Sequence, residues 1–228
     1  MALYAIGDLH LSFGTDKPMD VFGPLWEGYV DRLREGLSVI RPEDTTVLLG
    51  DLSWAMDIAD AREDFAFISA IPGRKIILKG NHDYWWTTAT KFNKFCAENG
   101  FEQMYVLNNN CYEYEDIAIC GTRGWFFEEE KHAEHDEKVF NRELMRLETS
   151  LKAAGEREKI CFLHYPPVYR GYYCEQIVAL MKTYGVRQCV FGHLHSDSHK
   201  LAITGDFEGI NYRLAAADFT GFRPIVLK

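Results

Sequence analysis

Asn81, His82 and Asp83 stand together at the end of the stretch Lys75-Ile-Ile-Leu-Lys-Gly-Asn-His-Asp83. An Asn amide oxygen can ligate a metal, and a neighbouring His–Asp pair can hold and release a proton. Gly7-Asp8-Leu9-His10 sets a carboxylate two residues before an imidazole, and Gly192-His-Leu-His195 repeats that spacing with His193 and His195. Strand alternation predicts both members of each pair on one side, with Leu9 or Leu194 opposite, so that each pair can grip one cation. Asp51 after Gly50, and His164 before Tyr165-Pro166-Pro167, add one donor each. Asp-x-His alone occurs often by chance, a lone Gly-Asp reads as a cap or turn, and Gly, Asn and Asp are common turn formers, while Gly192-His-Leu-His195 is a strong signal in this context. Together Asp8, His10, Asp51, Asn81, His164, His193 and His195 make seven potential ligands. That is the number two metals need when one carboxylate bridges. Imidazole, carboxylate and amide oxygen suit Mn, Fe, Zn or Co rather than Ca or Mg alone. Two such ions, about 3.5–4 Å apart, activate a water and clamp a phosphoryl group.

The elements that must position these residues are short apolar runs. Leu3–Ile6, Thr45–Leu49, Ile76–Leu78, Ile160–Leu163 and Arg187–Phe191 read as buried parallel strands, each ending just before a donor. Several intervals between them are near the roughly 30 residues of a βαβ unit, so the strand ends can share one sheet edge, where open α/β sheets place ligands. Helical spacing marks 26–40 (Val30, Leu33, Leu37, Ile40), 60–71, 139–154 (Phe140, Leu144, Leu147, Leu151) and 174–184, with Thr87 as the expected cap of a helix to about Glu98. Met104–Leu107, Tyr112–Tyr114 and Ile117–Cys120 are β-like, as are Leu201–Ile203, Asn211–Ala215 and Pro224–Leu227, with a hairpin-like turn at Gly205, Asp206 and Glu208. The charged stretch 128–138, with His132 and His135, reads as a solvated loop running into a helix.

The 228 residues suit one domain, 1–228, and neither repeats nor low-complexity linkers mark a boundary. A formal charge of −9, from 25 basic and 34 acidic residues, gives no electrostatic footprint for gripping a phosphate backbone. A small anion stays possible, because local metal charge can outweigh the net field. Asp8 and His10 follow only a few apolar residues, and no apolar run approaches membrane-spanning length. Six cysteines without a Cys-x-x-Cys fit buried reduced thiols better than zinc ligands or disulfides. The expectation is a cytoplasmic protein without membrane partners.

The ordered blocks Asp8-Leu-His10, Gly50-Asp51, Gly80-Asn-His-Asp83, a lone His164 and Gly192-His-Leu-His195 resemble those of the calcineurin-like metallophosphoesterase superfamily, in the manner of a small bacterial-type single-domain member. The resemblance spans residues 8–195. It implies an α/β fold, a four-layer αββα sandwich of two mixed β-sheets flanked by helices, with two divalent or trivalent transition-metal ions (Mn, Fe or Zn) at the strand ends. Asp8, His10, Asp51 and His195 would hold the first metal, and Asp51 would bridge to a second held by Asn81, His164 and His193. His82, off the metals and oriented by Asp83, would contact the phosphate and protonate the leaving oxygen. Gly50-Asp51-Leu-Ser-Trp54 lacks the Asp-Arg-Gly continuation of the family's protein-phosphatase branch, which argues against protein dephosphorylation.

The implied activity is hydrolysis of a small-molecule or nucleotide phosphomonoester or diester. A nuclease of the same superfamily is the alternative, disfavoured by the acidic chain without a basic stripe. A metal-free binding module would be expected to have lost ligands, and none is lost here. Trp54, Trp85 and Trp86 lie within a few residues of ligands, and Arg123 stands free to pair with a phosphate or carboxylate. Trp54 or Trp85 facing the cleft would favour a planar leaving group such as a nucleobase.

Overall fold

A computed structural model describes residues 1–125 and 133–228, with side chains described from 137 onward in the second segment. His132 and the side chain of His135 lie outside the described residues. In chain order the elements are β1 (Leu3–Ile6), α1 (Tyr29–Leu37), β2 (Thr45–Leu48), α2 (Arg62–Ser69), β3 (Arg74–Ile77), α3 (Ala89–Asn99) and β4 (Met104–Val106). There follow β5 (Tyr112–Tyr114), β6 (Ile117–Thr122), α4 (Ala133–Ala153), β7 (Glu158–Leu163), β8 (Val168–Tyr169) and β9 (Tyr172–Tyr173). The chain ends with α5 (Glu175–Thr183), β10 (Gln188–Phe191), β11 (Gly205–Phe207), β12 (Ile210–Leu214) and β13 (Ile225–Val226). The architecture is mixed α/β, with two large mixed sheets flanked by helices.

These elements fall into two compact units. One comprises Met1–Val106 with Ala215–Lys228, and the other Leu107–Leu214. The first holds the five-stranded sheet β13-β1-β2-β3-β4, parallel from β1 to β4 with β13 antiparallel at the edge. Its central strands β1, β2 and β3 are largely buried, as parallel strands covered on both faces must be, while Tyr105 on β4 and Val226 on β13 are exposed at the edges. Its core joins Ile6, Leu33, Phe65, Trp85, Phe92 and Phe222. The second unit holds the six-stranded sheet β11-β12-β10-β7-β6-β5, in which β12, β10, β7 and β6 run parallel and both edges are antiparallel. Cys120, Cys161 and Cys189 sit in register on its three central neighbours β6, β7 and β10. All six cysteines are free, and all but Cys111 are buried. No helix among the described residues is long and apolar enough to cross a membrane.

Several local expectations are corrected. The helix expected over 26–40 is narrower, because Pro24–Trp26 forms a 3₁₀ turn and Gly28 enters α1 in the left-handed region. The cap of α3 is Thr88, whose hydroxyl accepts the Lys91 N–H. Leu201–Ile203 is no strand; Ser196–Leu201 is a 3₁₀ helix. Gly205 and Asp206 belong to β11, and the turn into β12 lies at Glu208-Gly209, both with positive φ, as a two-residue hairpin of opposite hand to the usual turn requires. On α4, Leu144 is only half-buried, while Glu143 and Ser150 occupy the buried face with Phe140, Leu147 and Leu151. The reason is bonding to β6: Glu143 accepts from the Thr122 hydroxyl at 2.5 Å, and the Ser150 hydroxyl accepts the Gly121 N–H at 2.9 Å.

Candidate functional site

In the first unit, β1 and β2 end at Ile6 and Leu48, yet their pairing continues through the loops beyond. Asp8 N–H donates to Gly50 O (2.8 Å), His10 N–H to Asp51 O (2.9 Å), Leu11 N–H to Leu52 O (2.9 Å) and Trp54 N–H to Leu11 O (2.9 Å). Asp8, His10 and Asp51 have φ of 60°, 46° and 50°. Simple strand alternation therefore does not place Asp8 and His10, contrary to expectation; each is turned inward by a left-handed backbone. Such conformations cost about 1–3 kcal/mol each in non-glycine residues and concentrate at functional sites. Their result is that one donor atom each from Asp8, His10 and Asp51 lies within 4.8 Å of the others, all three residues being buried.

The imidazole of His10 is boxed in. It stacks on Trp54 (5.0 Å between centroids, 27°) and meets Trp26 edge-on (5.8 Å), while its carbonyl accepts the Tyr29 hydroxyl at 3.0 Å. Its Nε2 stands 3.9 Å from Asp51 Oδ2. The other oxygen, Asp51 Oδ1, accepts the His82 N–H at 2.7 Å. That contact depends on Gly80, because a Cβ there would lie 2.1 Å from Asp51 Oδ1. Asp64, whose carboxyl is raised by burial, accepts the Phe13 N–H (2.8 Å) and the Ser53 hydroxyl, tying the two ligand loops together from behind.

Asp83 is wholly buried. Its carboxylate accepts N–H groups from Gly80 (2.7 Å), Leu52 (2.8 Å), Asp51 (2.9 Å) and the Trp85 indole (2.9 Å). Burial pushes its carboxyl up, and these donors oppose the shift. The expected role of orienting the His82 ring is corrected: the oxygens of Asp83 face main chain and indole because its neighbours are unpaired loop N–H groups. His82 is instead set by its N–H to Asp51 and by packing against Trp54 (4.6 Å) and Tyr84 (6.2 Å). Trp85 is corrected as well. Its indole is buried among Phe65, Phe92 and Trp86, so it lines no cleft. Trp54 does adjoin the site, half-buried, with His10 stacked on it and the Lys17 ammonium 4.6 Å over its ring.

In the second unit, the ends of β6, β7 and β10 also continue side by side. His164 N–H donates to Arg123 O and Gly192 N–H to His164 O, each at 3.1 Å. His164 is buried, and its ring lies 5.2 Å from that of His193, which Tyr165 also contacts edge-on at 4.5 Å. His193 has a φ of 70°, so here too a left-handed turn rather than alternation sets the direction. His195, half-buried, opens the 3₁₀ turn and accepts the Ser198 N–H at 2.9 Å. Arg123 has an ion-pair partner, its Nη2 lying 3.8 Å from Glu143, which also holds Arg146 at 2.6 Å. Glu143 is the residue that sequence reasoning missed. The available signal was a charge on an otherwise apolar stripe between Phe140 and Leu147.

The donor chemistry fits transition-metal binding. An imidazole nitrogen and carboxylate oxygens, gathered with their donor atoms within 4.8 Å of one another, are the ligand types such ions take.

Parallel strands that deliver aspartate and histidine from their carboxyl ends mark an α/β protein with a candidate metal-binding cluster. The chain belongs to the calcineurin-like phosphoesterase family, whose pattern matches residues 1–197. Among solved structures, it is similar to the protein of unknown function AQ665 from Aquifex aeolicus, at 20% identity and a TM-score of 0.57, covering 99% of this chain and 95% of that one. It is also similar to phosphopantetheinyl hydrolase from Mycobacterium tuberculosis, at 12% identity and a TM-score of 0.57, covering 98% and 95%. At these identities the likeness is one of fold. No curated protein matches the chain.

Replacing Asp83 by Asn turns an amide NH₂ toward N–H groups that now meet an oxygen. Asp83→Asn is expected to lower the unfolding free energy by about 2–3 kcal/mol, the scale of hydrogen bonds to a charged group. Urea unfolding measures it. Unchanged stability together with a shifted pH–rate profile would return Asp83 to the role of orienting His82.

Proposed function

We propose that this chain is a dinuclear metal-dependent phosphoesterase acting on a small-molecule phosphate ester, with 1–228 working as one functional domain. The observation that carries the reading is the clustering of Asp8, His10 and Asp51 by inward-turned backbone at paired loop ends. Family membership supports a hydrolase of phosphate esters. Asp8, His10, Asp51 and His195 would hold one ion, and Asp51, Asn81, His164 and His193 the other, as the resemblance implies. Bound there, the ions would polarise a phosphoryl oxygen and lower the pKa of a water.

The chain's own residues do the rest. Asp51 is held by His82 N–H on one oxygen, which leaves the second facing His10 and fixes the direction of the carboxylate. The His82 imidazole, packed against Trp54, is the group available to give a proton to the leaving oxygen. Trp54 keeps the His10 ring from swinging out, and its half-buried indole beside the site would serve as the platform for a planar leaving group.

Asp51→Asn is expected to abolish nearly all turnover of a nitrophenyl phosphate, because one change disturbs both ions. Normal turnover with two ions retained would contradict the bimetal assignment. His82→Ala should keep the metals yet lose roughly 10²–10⁴-fold in rate on alkyl esters, the usual size of a general-acid contribution. The loss should shrink for nitrophenyl esters, whose leaving group needs no proton; equal losses on both would make His82 a phosphate-positioning group only.

A further inference from the structure

Arg123 is the first residue after β6. Thr122, Leu163 and Phe191 are in register across β6, β7 and β10, so Arg123 stands one strand spacing, about 4.8 Å, from His164 along the same sheet edge. A guanidinium carries five N–H donors in a fixed fork. Here, among the described residues, none of them makes a hydrogen bond. Nε is buried without an acceptor, as is the neighbouring Trp125 Nε1. The side chain is only 17% exposed, and its Glu143 contact, at 3.8 Å, is an ion pair too long for a hydrogen bond. Leaving buried donors unmade costs about 1–3 kcal/mol each, a cost that calls for an explanation.

Two side chains support Arg123. Glu143, 2% exposed, is engaged by Thr122 and Arg146. It therefore holds the guanidinium by charge without occupying its donors. Trp125 covers one face, 4.7 Å from the guanidinium carbon. With Nε closed in, the two Nη groups are the donors left for an incoming oxygen. A cation at this strand end, beside the His164 loop, suits the oxyanion of a phosphate.

We propose that Arg123, positioned by Glu143 and Trp125, is an oxyanion-binding fork that selects a terminal phosphate group, that of a monoester, over a diester. The selection rests on the phosphoesterase reading above. If each of two ions takes one non-bridging oxygen, a monoester has a third left for Arg123, and a diester has none. Arg123 is then a specificity residue, and Glu143 acts through it.

Calorimetric titration of inorganic phosphate into the manganese-loaded protein tests the fork, and kcat/KM for phenyl phosphate and diphenyl phosphate tests the selection. Arg123→Gln should weaken phosphate binding about 10- to 100-fold, the scale of a hydrogen bond to a charged group. It should lower kcat/KM for the monoester by a similar factor and leave the diester nearly unchanged. Glu143→Gln should reproduce part of the phosphate loss, with thermal melting to show that the fold persists. Unchanged phosphate affinity in Arg123→Gln overturns the fork and leaves Arg123 as a mere partner of Glu143. Equal losses on both esters overturn the selection. Arg123-dependent phosphate binding by a protein that hydrolyses neither ester upholds the fork and contradicts the phosphoesterase reading instead.

Discussion

The buried carboxylate of Asp83 is the interaction on which the first unit's site depends. Five N–H groups, from Gly80, Asp51, Leu52, Trp85 and, at 3.5 Å, Ser53, converge on its two oxygens. This closes the 80–85 turn onto the 50–53 loop, close enough that glycine is required at both Gly50 and Gly80. The 50–54 loop in turn carries the 7–11 loop by main-chain pairing, so Asp8, His10 and Asp51 inherit their positions from one charge. The left-handed backbone of all three persists because the pairing around it over-determines the chain.

The second unit solves the same problem with a helix. Ser150 and Glu143 reach from the buried face of α4 to Gly121 and Thr122 and pin the end of β6. Gly121 must be glycine there, since a Cβ would lie 1.9 Å from Phe162 O. That pinned strand end passes its register to His164 through Arg123 O, and His164 passes it to Gly192. In both units the donors sit beyond the last strand residue, on loops that borrow the precision of the sheet.

Much of this was legible from residue types. Apolar runs such as Thr45–Leu48 and Ile160–Leu163 are buried parallel strands, and each expected donor lies just past one. Spacing misled where the backbone leaves the strand: Asp8-Leu-His10 looks like alternation, but positive φ at Asp8 and His10 does the turning. Composition could not say which tryptophan is core. Trp54 and Trp85 each lie two or three residues past an aspartate of the site, and only packing buries the second and stacks the first on His10. Asp83 read as a proton-relay partner because His82 adjoins it, whereas the loop's unsatisfied N–H groups claim its oxygens. Glu143 escaped notice because helical periodicity favoured Leu144, and the lone charge on the stripe does not say which strand end it serves.

The central claim is that the chain holds two ions with Asp51 shared between them. Anomalous diffraction from crystals equilibrated with manganese tests it most directly. Two peaks about 3.5–4 Å apart are predicted. One should contact Asp8 and His10, the other Asn81 and His164, and both should contact Asp51. A single peak, or two peaks of which neither touches Asp51, would contradict the account.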